Sequence, residues 1–192
     1  VPDAFRITDL ARDPYIALPP GQNGFASAER KLESSADYQV LWHEAWRQPL
    51  LPRSQVDALL VQAGSTAGNH HELEGSLRFS DNGAGLAQID LNIWINQFGP
   101  QGDSAEEWLL PALPQALQLP PAQTTDNALL LSDTGIAQAT ESGIELVWQQ
   151  ETTRDIGGTV LYYLDHPVIG VLIQARSYEL PVTDLPETAE DF

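Results

Sequence analysis

Across residues 73–95 apolar and polar side chains alternate almost without a break, and that period of two commits the middle of the chain to β-structure. Leu73, Gly75, Leu77 and Phe79 alternate with Glu74, Ser76, Arg78 and Ser80. After the turn Asp81-Asn82-Gly83-Ala84-Gly85, Ala87, Ile89, Leu91, Ile93 and Ile95 alternate with Gln88, Asp90, Asn92 and Trp94. Successive strand residues point to opposite sides, so the two arms form a hairpin with one core face and one outward face. Pairing Ser80 with Leu86 sets Arg78 opposite Gln88 and diagonal to Asp90, within side-chain reach.

Around this hairpin the sequence predicts further strands and one clear helix. Residues 1–24 carry Pro2, Pro14, Pro19, Pro20, Gly21 and Gly24, a density of breakers that predicts an extended lead-in. Phe25, Ala28 and Leu32 share a face at helical spacing, with Ser27 as cap and Glu29, Arg30, Lys31 and Glu33 toward water. Residues 38–47 (YQVLWHEAWR) are rich in aromatic and β-branched types and close at Pro49, predicting a strand beside 55–62, with 63–71 a loop. Residues 96–127 are broken by Pro100, Pro111, Pro114, Pro120 and Pro121 and read as an insertion, with one helical turn at a Ser104/Glu107 capping box. Alternation resumes over 144–151, Gly157-Gly158 turns the chain, and 177–192 reads as a frayed acidic tail. The sum is an α+β fold, a predominantly antiparallel β-sheet with one or two short helices, forming a single domain over 25–176.

The longest uninterrupted apolar run, 168–173, follows Tyr162-Tyr163-Leu164-Asp165-His166-Pro167. His166 precedes a proline and is biased toward extended geometry, while the Asp165 carboxylate suits an Asx-type turn. Apolar on both pleat faces, 168–173 predicts a central strand covered on both sides, and Gly170 predicts a bulge or a close approach by another segment.

Composition excludes several functions. Nine Lys+Arg against 27 Asp+Glu give a formal charge of -18, which repels nucleic acid and anionic lipid surfaces. With no cysteine there is no disulfide, thiolate metal site or cysteine nucleophile. A chain of 192 residues with 42% hydrophobic content is enough for one core. It holds no signal peptide and no apolar stretch of membrane-spanning length, and the absence of methionine even at position 1 reads as a processed or excised chain. Neither G-x-S-x-G nor S-x-x-K occurs, so the usual serine-nucleophile chemistry is absent. Asp165-His166 reads as a turn before it reads as an acid/base pair, and His43 between Trp42 and Glu44 as a core histidine. His70 and His71, adjacent on an extended segment, point opposite ways and do not form a metal pair. No catalytic residue, metal or cofactor is expected, although abundant carboxylates do not by themselves rule on a glycosidase.

Three segments, 32–49 (LESSADYQVLWHEAWRQP), 73–94 (LEGSLRFSDNGAGLAQIDLNIW) and 161–174 (LYYLDHPVIGVLIQ), together resemble the CsiV family of periplasmic peptidoglycan-binding proteins of Gram-negative bacteria. That family has a tyrosine-led strand ending in Ala-Trp-Arg-Gln-Pro, then a hairpin, then a Tyr-Leu-Asp-His-Pro corner before a glycine-containing apolar strand. The resemblance covers about residues 25–176, with Asp165, His166, Pro167 and Gly170 as its structural signature. It implies a periplasmic, non-enzymatic protein that binds peptidoglycan and assists a class A penicillin-binding synthase and its outer-membrane lipoprotein activator. Two other readings stand beside it: an envelope interaction scaffold that never touches glycan, and a cell-wall glycan hydrolase.

The outward face of the hairpin reads either as an ordinary solvated sheet face with Trp94 covered by the insertion or as a ligand face. Arg78, Gln88, Asp90, Asn92 and Trp94 combine hydrogen-bonding groups with one flat ring, as a sugar requires, its hydroxyls needing donors and acceptors and its C–H face an aromatic surface. Arg47, at the end of its strand, matches through its guanidinium fork either a peptide-stem carboxylate or one of the chain's own 27 acids.

Overall fold

A computed structural model describes residues 9–19, 21–22, 24–100, 113 and 142–180. The element order is α1 (Ala26–Glu33), a single 3-10 turn (Arg53–Gln55), β1 (Leu59–Ala67), β2 (His70–Asp81), β3 (Ala87–Pro100), β4 (Ser142–Ile156), β5 (Tyr162–Asp165) and β6 (Gly170–Ile173). β1 to β4 form a four-stranded antiparallel sheet in sequence order, while β5 and β6 make a separate two-stranded antiparallel ribbon. The fold is α+β with the sheet dominant.

The central hairpin is β2–β3, with Asp81 opposite Ala87 and Ser80 opposite Gln88 instead of Leu86. The Asp81 carboxylate accepts from the Gly83 and Gly85 amides, and the Asn82 side chain from those of Ala84 and Leu86. These bonds organise 82–86 as the loop and move the register two residues from the expected one. A two-residue shift preserves the faces, and it brings Arg78 directly opposite Asp90.

Three expectations are corrected. Residues 63–71 are not a loop: β1 runs to Ala67, bulges between Ala63 and Thr66, and turns back with Ala67 opposite His70. β3 continues to Pro100, so the start of the expected insertion at 96 is strand; the Ser104/Glu107 turn lies outside the described residues. Residues 38–47 join no strand ladder and form an irregular strap instead of the expected strand. Their backbone instead receives the Tyr15 amide at Arg47 O (2.8 Å) and the Leu18 amide at Ala45 O (2.7 Å), so lead-in and strap run side by side. The strap is held by these two backbone bonds and by side-chain packing, not by a neighbouring strand.

The core lies on the odd-numbered face of β1–β3. Leu59, Val61, Leu73, Leu77, Ile89, Leu91 and Ile93 are buried there with Ile156 from β4, and Leu164, Ile169 and Ile173 from the ribbon close over them. Leu41, Trp42 and Trp46 of the strap pack against the same cluster, with Trp46 edge-on to Phe79 at 5.7 Å. Past this face the chain rounds the side of β2 that β1 leaves open. Gln48 Nε2 donates to Phe79 O (2.9 Å), and Leu51 O accepts the Asp81 amide (2.8 Å).

Helix α1 starts at Phe25, whose backbone is left-handed at φ 47°; no side chain caps it, and Ser27 lies inside its first turn. Its Glu29 pairs with His43 Nδ1 at 2.9 Å, which ties the helix to the strap.

Candidate functional site

The even-numbered face of the sheet carries most of the side chains singled out from the sequence. Register places Gln88 opposite Asp155, Asp90 opposite Thr153, Asn92 opposite Glu151 and Trp94 opposite Gln149. β4 therefore adds a third column to the polar face expected of the hairpin. The columns are stitched together: Gln88 Nε2 donates to Asp155 (3.0 Å), Thr153 Oγ1 to Asp90 Oδ1 (2.8 Å) and Gln149 Nε2 to Asn92 (2.8 Å). Arg53, arriving from the 3-10 turn, reaches the other Asp90 oxygen at 3.0 Å. Arg78 is part-buried, and its Nε has no hydrogen-bond partner. A ligand here would exchange existing protein bonds for its own, with little net gain per bond.

Trp94 does not face outward to solvent. It is 1% exposed, as are Glu74 opposite it and Asn96. The Glu74 carboxylate accepts from the His71 amide (2.8 Å), Asn96 Nδ2 (3.1 Å), Trp94 Nε1 (3.2 Å) and His70 Nδ1 (3.3 Å). Burying a carboxylate demands such compensation. Alternation gave no signal for this cluster, since it assigns a side chain to a face without saying whether the face is covered. A tryptophan on a nominally polar face was the available sign.

Arg47 sits away from this face. Its guanidinium donates to Leu10 O and lies over the Tyr178 ring at 4.2 Å, clamping the lead-in to the residues after β6. The start of the expected acidic tail, 177–180, is thus docked at Tyr178, while 181–192 lie outside the described residues.

The Asp165-His166-Pro167 corner is the turn of the β5–β6 hairpin, closed by the Asp165–Gly170 pair. The expected central strand is corrected to a four-residue arm pairing only with β5; Val168 is 47% exposed, and the inward positions are Leu164, Ile169 and Ile173. His166 Nδ1 accepts weakly from the Val168 amide at 3.4 Å, and Asp165 accepts from the Tyr163 hydroxyl at 2.9 Å. That bond, first, then partial desolvation and the Asp165 and Tyr38 charges, holds the Tyr163 hydroxyl pKa above its usual 10.0. Gly170 meets a close approach: an added Cβ would lie 3.1 Å from the Tyr163 ring edge. Tyr162 locks the ribbon to the end of β4, its hydroxyl accepting from the Gly157 amide (3.0 Å) and donating to Gly157 O (3.2 Å).

Among the described residues no group of three or more His, Asp or Glu is placed to hold a metal ion, and no helix is long and apolar enough to cross a membrane. A family model described as "Peptidoglycan-binding protein, CsiV" matches residues 2–178. Comparison with curated proteins and with solved structures finds no match.

Proposed function

The chain belongs to the CsiV family of peptidoglycan-binding proteins, and from that membership we propose that it works in the periplasm as an accessory to cell-wall synthesis. In this role it binds peptidoglycan and assists a class A penicillin-binding synthase together with its outer-membrane lipoprotein activator. The observation that carries the proposal is the extent of the match, 2–178, which takes in the helix, the strap, the sheet and the ribbon. The role is binding without catalysis. In support, Asp165 and His166, the pair most open to an acid/base reading, are engaged by Tyr163 and by the Val168 amide within their own turn. On the polar face Asp90 and Asp155 are bonded to Thr153 and Gln88.

Of the ligand residues expected from the sequence, Gln88, Asp90 and Asn92 are bonded to β4 side chains and Trp94 is buried, so on this reading the sheet face is the weaker of the surfaces open to a glycan. Contact with the synthase or its activator is assigned to protein surface; β4, an edge of the four-stranded sheet, is where a partner segment can add main-chain bonds.

Co-sedimentation with purified sacculi tests the binding. The protein is expected in the pellet across moderate salt, and complete recovery in the supernatant overturns the proposal. Release of soluble muropeptides would overturn its non-enzymatic part. The polymerisation rate of a class A synthase with its activator is expected to change when the protein is added, and an unchanged rate overturns the accessory role.

A further inference from the structure

We infer that the outward face of the β5–β6 ribbon, centred on Tyr163 with Asp165 and Gly170, is the platform on which the N-acetylated glycan backbone stacks. The inference rests on the peptidoglycan-binding reading and gives it a site. In β5 alternation sends Tyr162 and Leu164 inward and Tyr163 and Asp165 outward, and Tyr163 is 54% exposed. An exposed tyrosine is usually free to turn, but this one is held at two points. Its hydroxyl donates to Asp165 Oδ1 at 2.9 Å, and its ring edge rests over Gly170, where any Cβ would be 3.1 Å away. The side chain is therefore oriented before a ligand arrives, which reduces the entropy lost on binding.

The chemistry of the patch fits a sugar. A flat ring takes the C–H face of a pyranose, and the exposed Asp165 carboxylate, which Tyr163 engages through Oδ1 only, is an acceptor for a hydroxyl or an acetamido N–H. The net charge of -18 opposes the carboxylates of the stem peptides, which leaves the uncharged sugar backbone as the favoured contact. On the polar face of the sheet, by contrast, Trp94 is buried.

Binding is measured to sacculi and to soluble N-acetylglucosamine oligomers, which lack stem peptides. Tyr163→Ala is expected to bind both at least tenfold more weakly with an unchanged melting transition, because the residue is exposed. Gly170→Ala, which displaces the ring without removing it, is expected to lose an intermediate amount. If wild type fails to sediment with sacculi, the family-level reading fails, and this inference falls with it. If wild type sediments and Tyr163→Ala sediments equally well, the platform is wrong while the reading survives; loss in a Gln88→Ala/Asn92→Ala double variant would then place the glycan on the sheet. Binding to sacculi but not to the oligomers would overturn the glycan assignment in favour of the stem peptides.

Discussion

The outward faces of the main sheet and of the β5–β6 ribbon start from the same sequence pattern: an alternation that leaves polar groups and one aromatic ring pointing away from the core. They reach opposite ends. On the sheet, Trp94 is 1% exposed and its indole N–H is bound to a buried carboxylate. On the ribbon, Tyr163 is 54% exposed and bonded to an exposed one. Alternation decides which side of the backbone a residue takes, and the width and covering of the sheet decide whether that side is wet. A tryptophan on the wider element became structure, and a tyrosine on the narrower one stayed available to a ligand.

The contrast can be broken first at Trp94. Trp94→Ala is expected to cost about 3–5 kcal/mol of unfolding free energy, as large aromatic truncations do; a denaturant midpoint near that of the wild type would mean that the ring is not part of the folded interior. Glu74→Ala should cost somewhat less, about 2–3 kcal/mol, by stranding the donors of His71, Trp94 and Asn96. The pair should be non-additive in a double-mutant cycle because they share a bond. On the same face, Arg53→Ala is expected to cost under about 1 kcal/mol, since that side chain is 60% exposed and its pairing with Asp90 is screened.

The smallest effect on stability is expected on the ribbon, where Asp165→Ala should leave the melting transition in place while shifting a titration. A tyrosine with a raised folded-state pKa is held neutral, so its bond to Asp165 is intact below the usual 10.0 and is lost as pH rises through the raised value. Without Asp165, one phenol should ionise at lower pH in the ultraviolet absorbance titration. An unchanged titration would show that the carboxylate does not hold the ring.

What could be read from the sequence follows the same division. Local periodicity gave the β2–β3 hairpin, its two faces and the proximity of Arg78 to Asp90. Its exact pairing depended on Asp81 and Asn82 capping the loop amides, a detail of side-chain bonding that alternation does not carry. The strand expected over 38–47 does not form, because strand pairing is a property of two segments, and the partner that the Tyr15 and Leu18 amides supply contributes too few bonds to make a ladder. The apolar run at 168–173 suggested a strand covered on both sides because composition alone was available. In the ribbon Ile169 and Ile173 face the core while Val168 does not. For the same reason Arg47 suggested a carboxylate partner, whereas the groups it meets, Leu10 O and the Tyr178 ring, are remote in sequence.

The strap that rounds β2 has a consequence beyond the packing of Trp42 and Trp46. β1 begins pairing only at Leu77, so the last residues of β2 would present unmet main-chain groups to any neighbouring molecule. Gln48 takes the Phe79 carbonyl and Leu51 takes the Asp81 amide. The chain thereby closes off that stretch against sheet growth from one molecule into the next, a safeguard of value to a protein kept at work in a crowded envelope.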